Sequence, residues 1–251
     1  MDGTWKCSTK LLGEIMPIIS SVSGNFSPIG RSRKPFNLAT GGTTTDITNY
    51  NGTGQIWRVH TFTSGAGTLT VLSALEIFKW IAIAGGGYGG ADRGGGGGGG
   101  GVLSNNSATL TVGTYNFTVG AAQNNTVAFS QTCIAGGTGG SYSNGAGASG
   151  GSGGGGGGPS GGGGAGTAGQ GNNGAGGGGF GGGYGGSWGS SSNITGTSIS
   201  YSTGGAAGDW QSPNATPTIF GYGGFGGRNN PDQLGRTNGA PGAVIVAYQI
   251  G

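Results

Sequence analysis

Residues that commonly catalyse reactions are scarce in this chain of 251 residues. His60 is its single histidine, and its seven acidic residues are scattered without the spacing of an acid–base pair or a metal site. We expect His60 to face outward from a sheet. The glycine run at 85–101 lacks the Gly-Lys-Ser/Thr ending of a phosphate-binding loop. The sequence therefore predicts a protein that is not an enzyme and has no cofactor or metal.

The two cysteines, Cys7 and Cys133, stand far apart in segments of different composition. A disulfide framework needs more cysteines and a metal site needs closer spacing, so two free thiols are expected, while pairing between them stays open. The apolar stretch at 11–19 is interrupted by Glu14 and Pro17. It is therefore expected to be neither a signal peptide nor a membrane span, and the protein is expected to be made in the cytoplasm.

Aromatic and small polar side chains offer a binding chemistry instead. Tyr142, Trp188 and Trp210 lie in interruptions rich in serine, asparagine and aspartate. Rigid aromatic anchors among small polar residues are typical of recognition loops. The alternative is that these aromatic rings pack over the glycine segments as local caps. The predicted receptor-binding residues are Tyr142, Asn172, Asn173, Trp188, Tyr201 and Trp210.

The charge balance argues against a nucleic-acid partner. The net charge is only +3, and the sequence from residue 94 to residue 208 carries no charged residue at all. A nucleic-acid-binding face needs a dense set of basic side chains to neutralise phosphates. The basic cluster Arg31, Arg33 and Lys34 belongs to an N-terminal arm, which is either simply solvated or docks on another protein.

Glycine dominates the composition, with 70 of the 251 residues. Helical bundles are excluded because glycine costs about 1 kcal/mol per helical position relative to alanine. A collagen-type triple helix is excluded because it needs far more than the eight prolines present. Charge-driven disorder is excluded by the low charge content.

Strand patterns surround two glycine-rich blocks. Residues 55–63 are β-branched and aromatic, residues 68–71 alternate strictly between apolar and polar types, and residues 243–248 form a strongly apolar last strand. These patterns divide the chain into an N-terminal docking arm at 1–54, a β-rich core with the first glycine run at 55–135, and a polyglycine-helix region with a closing strand at 136–251.

The glycine runs allow two interpretations. They could be flexible linkers, or they could be polyproline-II helices that pack side by side and share backbone hydrogen bonds. A spacer would not need so many separate runs of similar length, which favours packing. The predicted fold class is all-β with little or no helix: an antiparallel β-sandwich combined with a polyglycine/polyproline-II helix bundle.

Seven short stretches follow one another along the chain, namely Trp57–Thr63, Gly67–Val71, Ile81–Gly87, Gly101–Leu103, Val112–Gly120, Ala135–Gly140 and Pro241–Val246. Their order resembles the glycine-rich domain of bacteriophage tail-fibre and adhesin proteins. The resemblance covers about residues 56–249, and more distantly the glycine tracts are similar to the distal adhesins of T-even-type phages. The leader departs from that adhesin.

The resemblance implies a phage virion protein, a tail-fibre or tail-tip adhesin that recognises the bacterial surface without catalysis. Its partners would be a glycan or outer-membrane protein of the host and, through Arg31, Arg33 and Lys34, other virion proteins. A homotrimer is left open. One alternative is a capsid or tail decoration protein without a receptor. Another is an ice-binding protein, which the irregular spacing at 136–189 disfavours.

Overall fold

The strands were located in a computed structural model that describes residues 37–142, 145–177, 183–187, 191–208, 217–227 and 235–251. These residues contain no α-helix and one 3-10 turn, Tyr50–Gly52. The strands are β1 (Ala39–Thr40), β2 (Thr43–Ile47), β3 (Trp57–Phe62), β4 (Gly65–Val71), β5 (Leu75–Ile83), β6 (Val102–Leu110), β7 (Gly113–Val119), β8 (Thr126–Ala128), β9 (Gln131–Cys133), β10 (Ser191–Ser192), β11 (Ile199–Ser200) and β12 (Ala243–Gln249).

The strands build two antiparallel five-stranded sheets and one short hairpin. The first sheet has the order β1-β4-β7-β8-β9 and the second the order β2-β3-β12-β5-β6, while β10 pairs with β11. The last strand lies in the middle of the second sheet, where Ile245 is opposite Thr61 on one side and Ile81 on the other. The expectation of an almost entirely β protein with antiparallel pairing is confirmed.

The two sheets share one hydrophobic core. Residues of both sheets meet in a single buried cluster that includes Leu69, Phe117, Trp80, Val246 and Tyr248. Because neighbouring side chains of a strand point to opposite faces, the other residues of β12 join a second cluster. That cluster covers the outer face of the second sheet and includes the segment that carries β10 and β11. The result is a β-sandwich-like body with one outer face also covered.

The sheets begin earlier in the chain than the sequence patterns indicate. Those patterns place residues 39–47 in the arm at 1–54, but β1 pairs with β4 and β2 pairs with β3. The run of threonines in β2 has the branched side chains that suit a strand, and its exposure explains why it lacks an apolar pattern. Arg58 also binds the Asp46 carboxylate in bidentate fashion, at 2.6 and 2.7 Å.

The glycine-rich segments are hydrogen-bonded to one another through their backbones. We call residues 94–101 the central glycine segment. Within it, every third amide donates to the same neighbouring stretch of chain. The stretch at 134–140 accepts from Gly95 (at Gly140), Gly98 (at Gly137) and Gly101 (at Ile134). The stretch at 183–186 accepts from Gly96 (at Gly183) and Gly99 (at Gly186), and the stretch at 221–224 accepts from Gly97 (at Gly224) and Gly100 (at Gly221).

The carbonyls of the central glycine segment bind three further stretches in the same way. The stretch at 84–90 donates from Ala84 (to Gly101), Gly87 (to Gly98) and Gly90 (to Gly95). The stretch at 152–155 donates from Ser152 (to Gly99) and Gly155 (to Gly96), and the stretch at 205–208 donates from Gly205 (to Gly97) and Gly208 (to Gly94). Within the described parts of the chain, this segment therefore has six hydrogen-bonded neighbours. A Cβ atom at Gly97 would overlap the carbonyl oxygen of Gly87, and one at Gly98 would overlap that of Ser152. Only glycine permits such close approach of the backbones.

His60 lies inside the sandwich, so the expectation that it faces outward is wrong. Its ring is 1 % exposed because its position in β3 points toward the shared core. Nδ1 lies 2.6 Å from the Gly41 carbonyl oxygen, which can only accept, so Nδ1 carries the proton. Nε2 then accepts from the Tyr248 hydroxyl at 3.0 Å. Burial lowers the pKa of His60, which stays neutral in the folded protein.

We expect the buried neutral His60 to make folding sensitive to mild acid. Below pH 6.5, its ordinary pKa, the unfolded chain takes up a proton that the folded chain rejects, so the free energy of unfolding falls as pH decreases. Denaturant unfolding of the protein and of His60→Gln between pH 7 and pH 5 would measure this. The variant should lose most of the pH slope. Asp46 does not confound the result because Arg58 lowers its pKa below 3.8.

Candidate functional site

The glycine segments turn back at the end that lies away from the sheets. Residues 84–90 continue from β5 and residues 94–101 lead back into β6, so the turn between them is remote from both strands. Residues 134–140 likewise continue from β9 toward the same end, where Gly140 accepts from Gly95. We call residues 91–93, 141–142 and 158–160 the distal turn cluster.

Hydrogen bonds join the three parts of the distal turn cluster. The Ala91 amide donates to the Ser141 hydroxyl at 3.4 Å, and the Gly158 amide donates to the Arg93 carbonyl at 3.4 Å. Asp92 and Arg93 both have positive φ angles, 42° and 49°, as a tight reversal between two glycine segments requires. The turns therefore form one continuous surface.

Arg93 and Tyr142 are the principal contact in this cluster. The guanidinium carbon of Arg93 lies 4.0 Å from the centre of the Tyr142 ring, which is a cation–π geometry. Arg93 Nε has no hydrogen-bond partner among the described residues, since the Asp92 carboxylate is 3.9 Å away. The Asp92 side chain is 49 % exposed and Tyr142 is 39 % exposed. The Arg93 side chain is only 18 % exposed and its Nε is buried, so the Tyr142 ring and the Asp92 carboxylate form most of the solvent-facing surface here.

The charged pair is isolated in the sequence. Asp92 and Arg93 are the only charged residues between positions 80 and 208. A guanidinium offers planar donors and a carboxylate offers acceptors, while the tyrosine ring offers an apolar face. Such a set can bind a polar ligand by shape and hydrogen bonding.

Those predicted receptor-binding residues that the structure describes do not come together. Tyr142 belongs to the distal turn cluster, but Asn172 and Asn173 lie near the sheet end of the glycine segments. The Asn172 carbonyl accepts from Gly153, and the Asn173 side chain accepts from Gly166 at 2.9 Å. The Asn172 side chain donates to the Ser187 carbonyl at 2.5 Å. Both asparagines therefore help to hold neighbouring segments together.

Tyr201 is buried, although the sequence prediction places it on the receptor-binding surface. Its ring is only 3 % exposed because it packs in the second buried cluster, together with Ile83, Ile194 and Ile245. Burial raises the pKa of its hydroxyl, with the Thr195 side chain acting in the opposite direction. Tyr201 is a core residue and is not available to a receptor.

The remaining predicted residues fall outside the described part of the chain. They are Trp188 and Trp210 of the receptor set, Arg31, Arg33 and Lys34 of the docking set, and Cys7. Asp92 and Arg93 are functional candidates that the sequence patterns do not single out, because they stand only at the edge of a charge-free stretch. The signal that could have identified them is a charged pair interrupting two glycine runs, since such a pair marks an exposed turn.

Cys133 is a buried free thiol in the shared core. Its sulfur donates to the Ala82 carbonyl at 3.3 Å, and burial raises the pKa of the thiol to about 12. The reactive thiolate is therefore almost absent at neutral pH.

We expect Cys133 to resist thiol reagents until the protein unfolds. In the Cys7→Ser variant, no cysteine should react with a chromogenic disulfide reagent at pH 7.5, and one should react in guanidinium chloride. Rapid labelling of the native variant would contradict the buried position of this sulfur.

No protein-family model matches the chain, and no curated protein matches it either. Among the described residues, no helix is long and apolar enough to cross a bilayer. In the same ranges, no three His, Cys, Asp or Glu side chains are placed to share a metal ion.

Proposed function

We propose that this chain is a bacteriophage virion protein, a tail-fibre or tail-tip adhesin that binds the host surface without catalysis. The observation that carries the proposal is the placement of an isolated charged and aromatic surface at the far ends of the glycine segments. The order of sequence stretches that resembles phage glycine-rich domains supports the same function. The bound partner would be a glycan or an outer-membrane protein.

In this proposal the glycine segments form a bundle of polyglycine helices in the polyproline-II conformation. Such a helix has three residues per turn, so every third amide points to the same neighbour. The hydrogen bonds of the central glycine segment have this period, and its six partner stretches match the number of neighbours around one helix in hexagonal packing. An isolated glycine helix would be unstable, because ordering each residue costs roughly 1–2 kcal/mol and a hydrogen bond returns about 1 kcal/mol.

The bundle would act as a rigid support for the distal turn cluster. Seven residues at about 3.1 Å each carry the chain roughly 20 Å beyond the sheets before it turns. Arg31, Arg33 and Lys34 of the arm at 1–54 remain the proposed contacts with other virion proteins.

The proposal is tested by two measurements on the whole protein. Purified protein should bind intact cells of the host strain and reduce adsorption of the phage that encodes it. Labelled antibody in electron micrographs should locate it at a fibre or tail tip. Location on the capsid shell, with no binding to cells, would instead support the alternative of a decoration protein, which the β-sandwich-like body suits equally well.

A further inference from the structure

A groove opens on the flank of the sandwich, far from the distal turns. It lies between β5 and β6 of the second sheet and β7 and the β8–β9 turn of the first, and it encloses about 340 Å³. We call it the flank groove, and the residues that matter for its chemistry are Trp80, Asn105, Thr109, Tyr115, Phe129 and Gln131.

Aromatic rings form the floor and one wall of the flank groove. The ring of Phe129 is 5.0 Å from Trp80 and 6.2 Å from Tyr115, centre to centre. Trp80 is buried below them, whereas Tyr115 and Phe129 are only half-buried. The Tyr115 hydroxyl donates to the Thr111 carbonyl at 3.0 Å, which fixes the orientation of its ring. The aromatic faces are therefore held in place before any ligand arrives.

Strained backbone holds Phe129 in this position. The β8–β9 turn consists of Phe129 and Ser130, and both have positive φ angles, 50° and 60°. Hairpin turns of this kind favour Asn-Gly, and a bulky residue in the left-handed region has an energetic cost. Contacts of the Phe129 ring with Phe78, Trp80 and Phe117 in the core help to offset this cost, and the part of the ring that stays accessible faces the groove. Strain of this kind concentrates at binding sites.

A second irregularity borders the same groove. The pairing of β5 with β6 shifts register between Phe78 and Trp80, opposite Asn105 and Ala108. Bulges of this type redirect side chains and are frequent next to functional sites. Here the shift coincides with the stretch of β6 that supplies Asn105 and Thr109 to the rim.

The chemistry of the lining specifies the ligand class. Among the residues that the structure describes, no charged side chain lines the groove, and its rim carries the exposed amides of Asn105 and Gln131 and the hydroxyl of Thr109. The Asn105 oxygen accepts from the Ser107 amide at 2.9 Å, so its NH2 group is the part that can donate to a ligand. The Gln131 amide can both donate and accept, which suits adjacent hydroxyl groups, and aromatic faces suit the apolar face of a sugar ring. We propose that the flank groove binds a neutral saccharide, which stacks on Tyr115 and Phe129 and hydrogen-bonds to Asn105 and Gln131.

A glycan array tests this proposal with the full chain. The probes are neutral mono- to tetrasaccharides of glucose, galactose, mannose, rhamnose and N-acetylglucosamine, each also titrated in solution against tryptophan fluorescence. We expect at least one neutral saccharide to bind, and Gln131→Ala and Asn105→Ala each to weaken it by about tenfold, because both remove a ligand contact from an exposed rim position.

Two control variants distinguish the flank groove from the rest of the protein surface. Thr197→Ala, on the opposite side of the second sheet, and Lys79→Ala, whose ammonium lies over Tyr50 and Trp57 and not in the groove, should leave saccharide binding unchanged. Unchanged melting temperatures of the rim variants would show that folding is intact. Absence of binding to every neutral probe, binding of charged saccharides only, or loss of binding in Lys79→Ala but not in Gln131→Ala would each overturn the proposal. Binding of the host by the distal turns is measured separately, with intact cells.

Discussion

Gly98→Ala is expected to lower the free energy of unfolding by about 3 kcal/mol or more, or to prevent folding, although it adds a single methyl group. The new Cβ would overlap the Ser152 carbonyl oxygen and approach Gly153. In an ordinary core, a neighbouring side chain can change rotamer to relieve such a contact. Here the neighbours are backbone atoms, so whole segments would have to move apart.

The loss would extend beyond the substituted residue. The Gly98 amide donates to Gly137 and its carbonyl accepts from Gly87, so moving it breaks bonds to two segments at once. Those segments lead directly out of β5 and β9, which places the damage next to the sheets. Denaturant unfolding gives the free energy, and amide hydrogen exchange shows whether protection is lost throughout residues 94–101.

Gly162→Ala is the matched control. A Cβ at Gly162 would meet no atom within 4 Å, and its φ angle lies outside the left-handed region. The same substitution there should leave stability unchanged or raise it by about 0.4–1 kcal/mol, because alanine restricts the unfolded chain. Equal effects of the two substitutions would contradict close packing of the central glycine segment and would return the glycine runs to the linker interpretation.

The sequence predicts the sheets well where side chains alternate or are continuously apolar. β4 and β12 are recognisable because burial on one face or on both leaves a direct pattern in the residue types. β2 is not recognisable, because four of its five residues are exposed and leave no apolar pattern. The prediction for His60 fails for a related reason: a polar residue indicates the surface unless its buried partners, Gly41 and Tyr248, are known in advance.

The candidate sites are less predictable because they depend on which turns meet in space. Aromatic composition selects both Tyr142, which is exposed, and Tyr201, which is buried, because composition does not distinguish a turn at the end of the glycine segments from one that covers a sheet. The flank groove depends on a register shift and on positive φ angles at Phe129 and Ser130. Neither residue type indicates a left-handed turn, so the local sequence gives no sign of it.

The double variant Arg93→Ala, Tyr142→Ala is expected to weaken binding of the protein to host cells by about tenfold or more. Arginine and tyrosine are the residue types that contribute most at interfaces, and these two support each other through their 4.0 Å contact. Removing both eliminates the aromatic face and the positive charge from the distal turn cluster. Binding of fluorescently labelled protein to intact cells measures the effect, and raising the salt concentration should weaken the binding of the unaltered protein because screening reduces charge–charge attraction.

Lys79→Ala is the matched control, because it also removes a positive charge from a cation–π contact, but at a different place in the molecule. The Lys79 ammonium lies 4.7 Å from the Trp57 ring centre and 5.0 Å from that of Tyr50, on the sandwich rather than at the distal turns. This substitution should leave cell binding unchanged while lowering stability slightly. If the double variant and Lys79→Ala bind cells equally well, and both are folded, the distal turn cluster does not contact the receptor. If the double variant still binds cells, another surface of the molecule must contact them. Cell binding by the Asn105→Ala and Gln131→Ala variants would then show whether that surface is the flank groove.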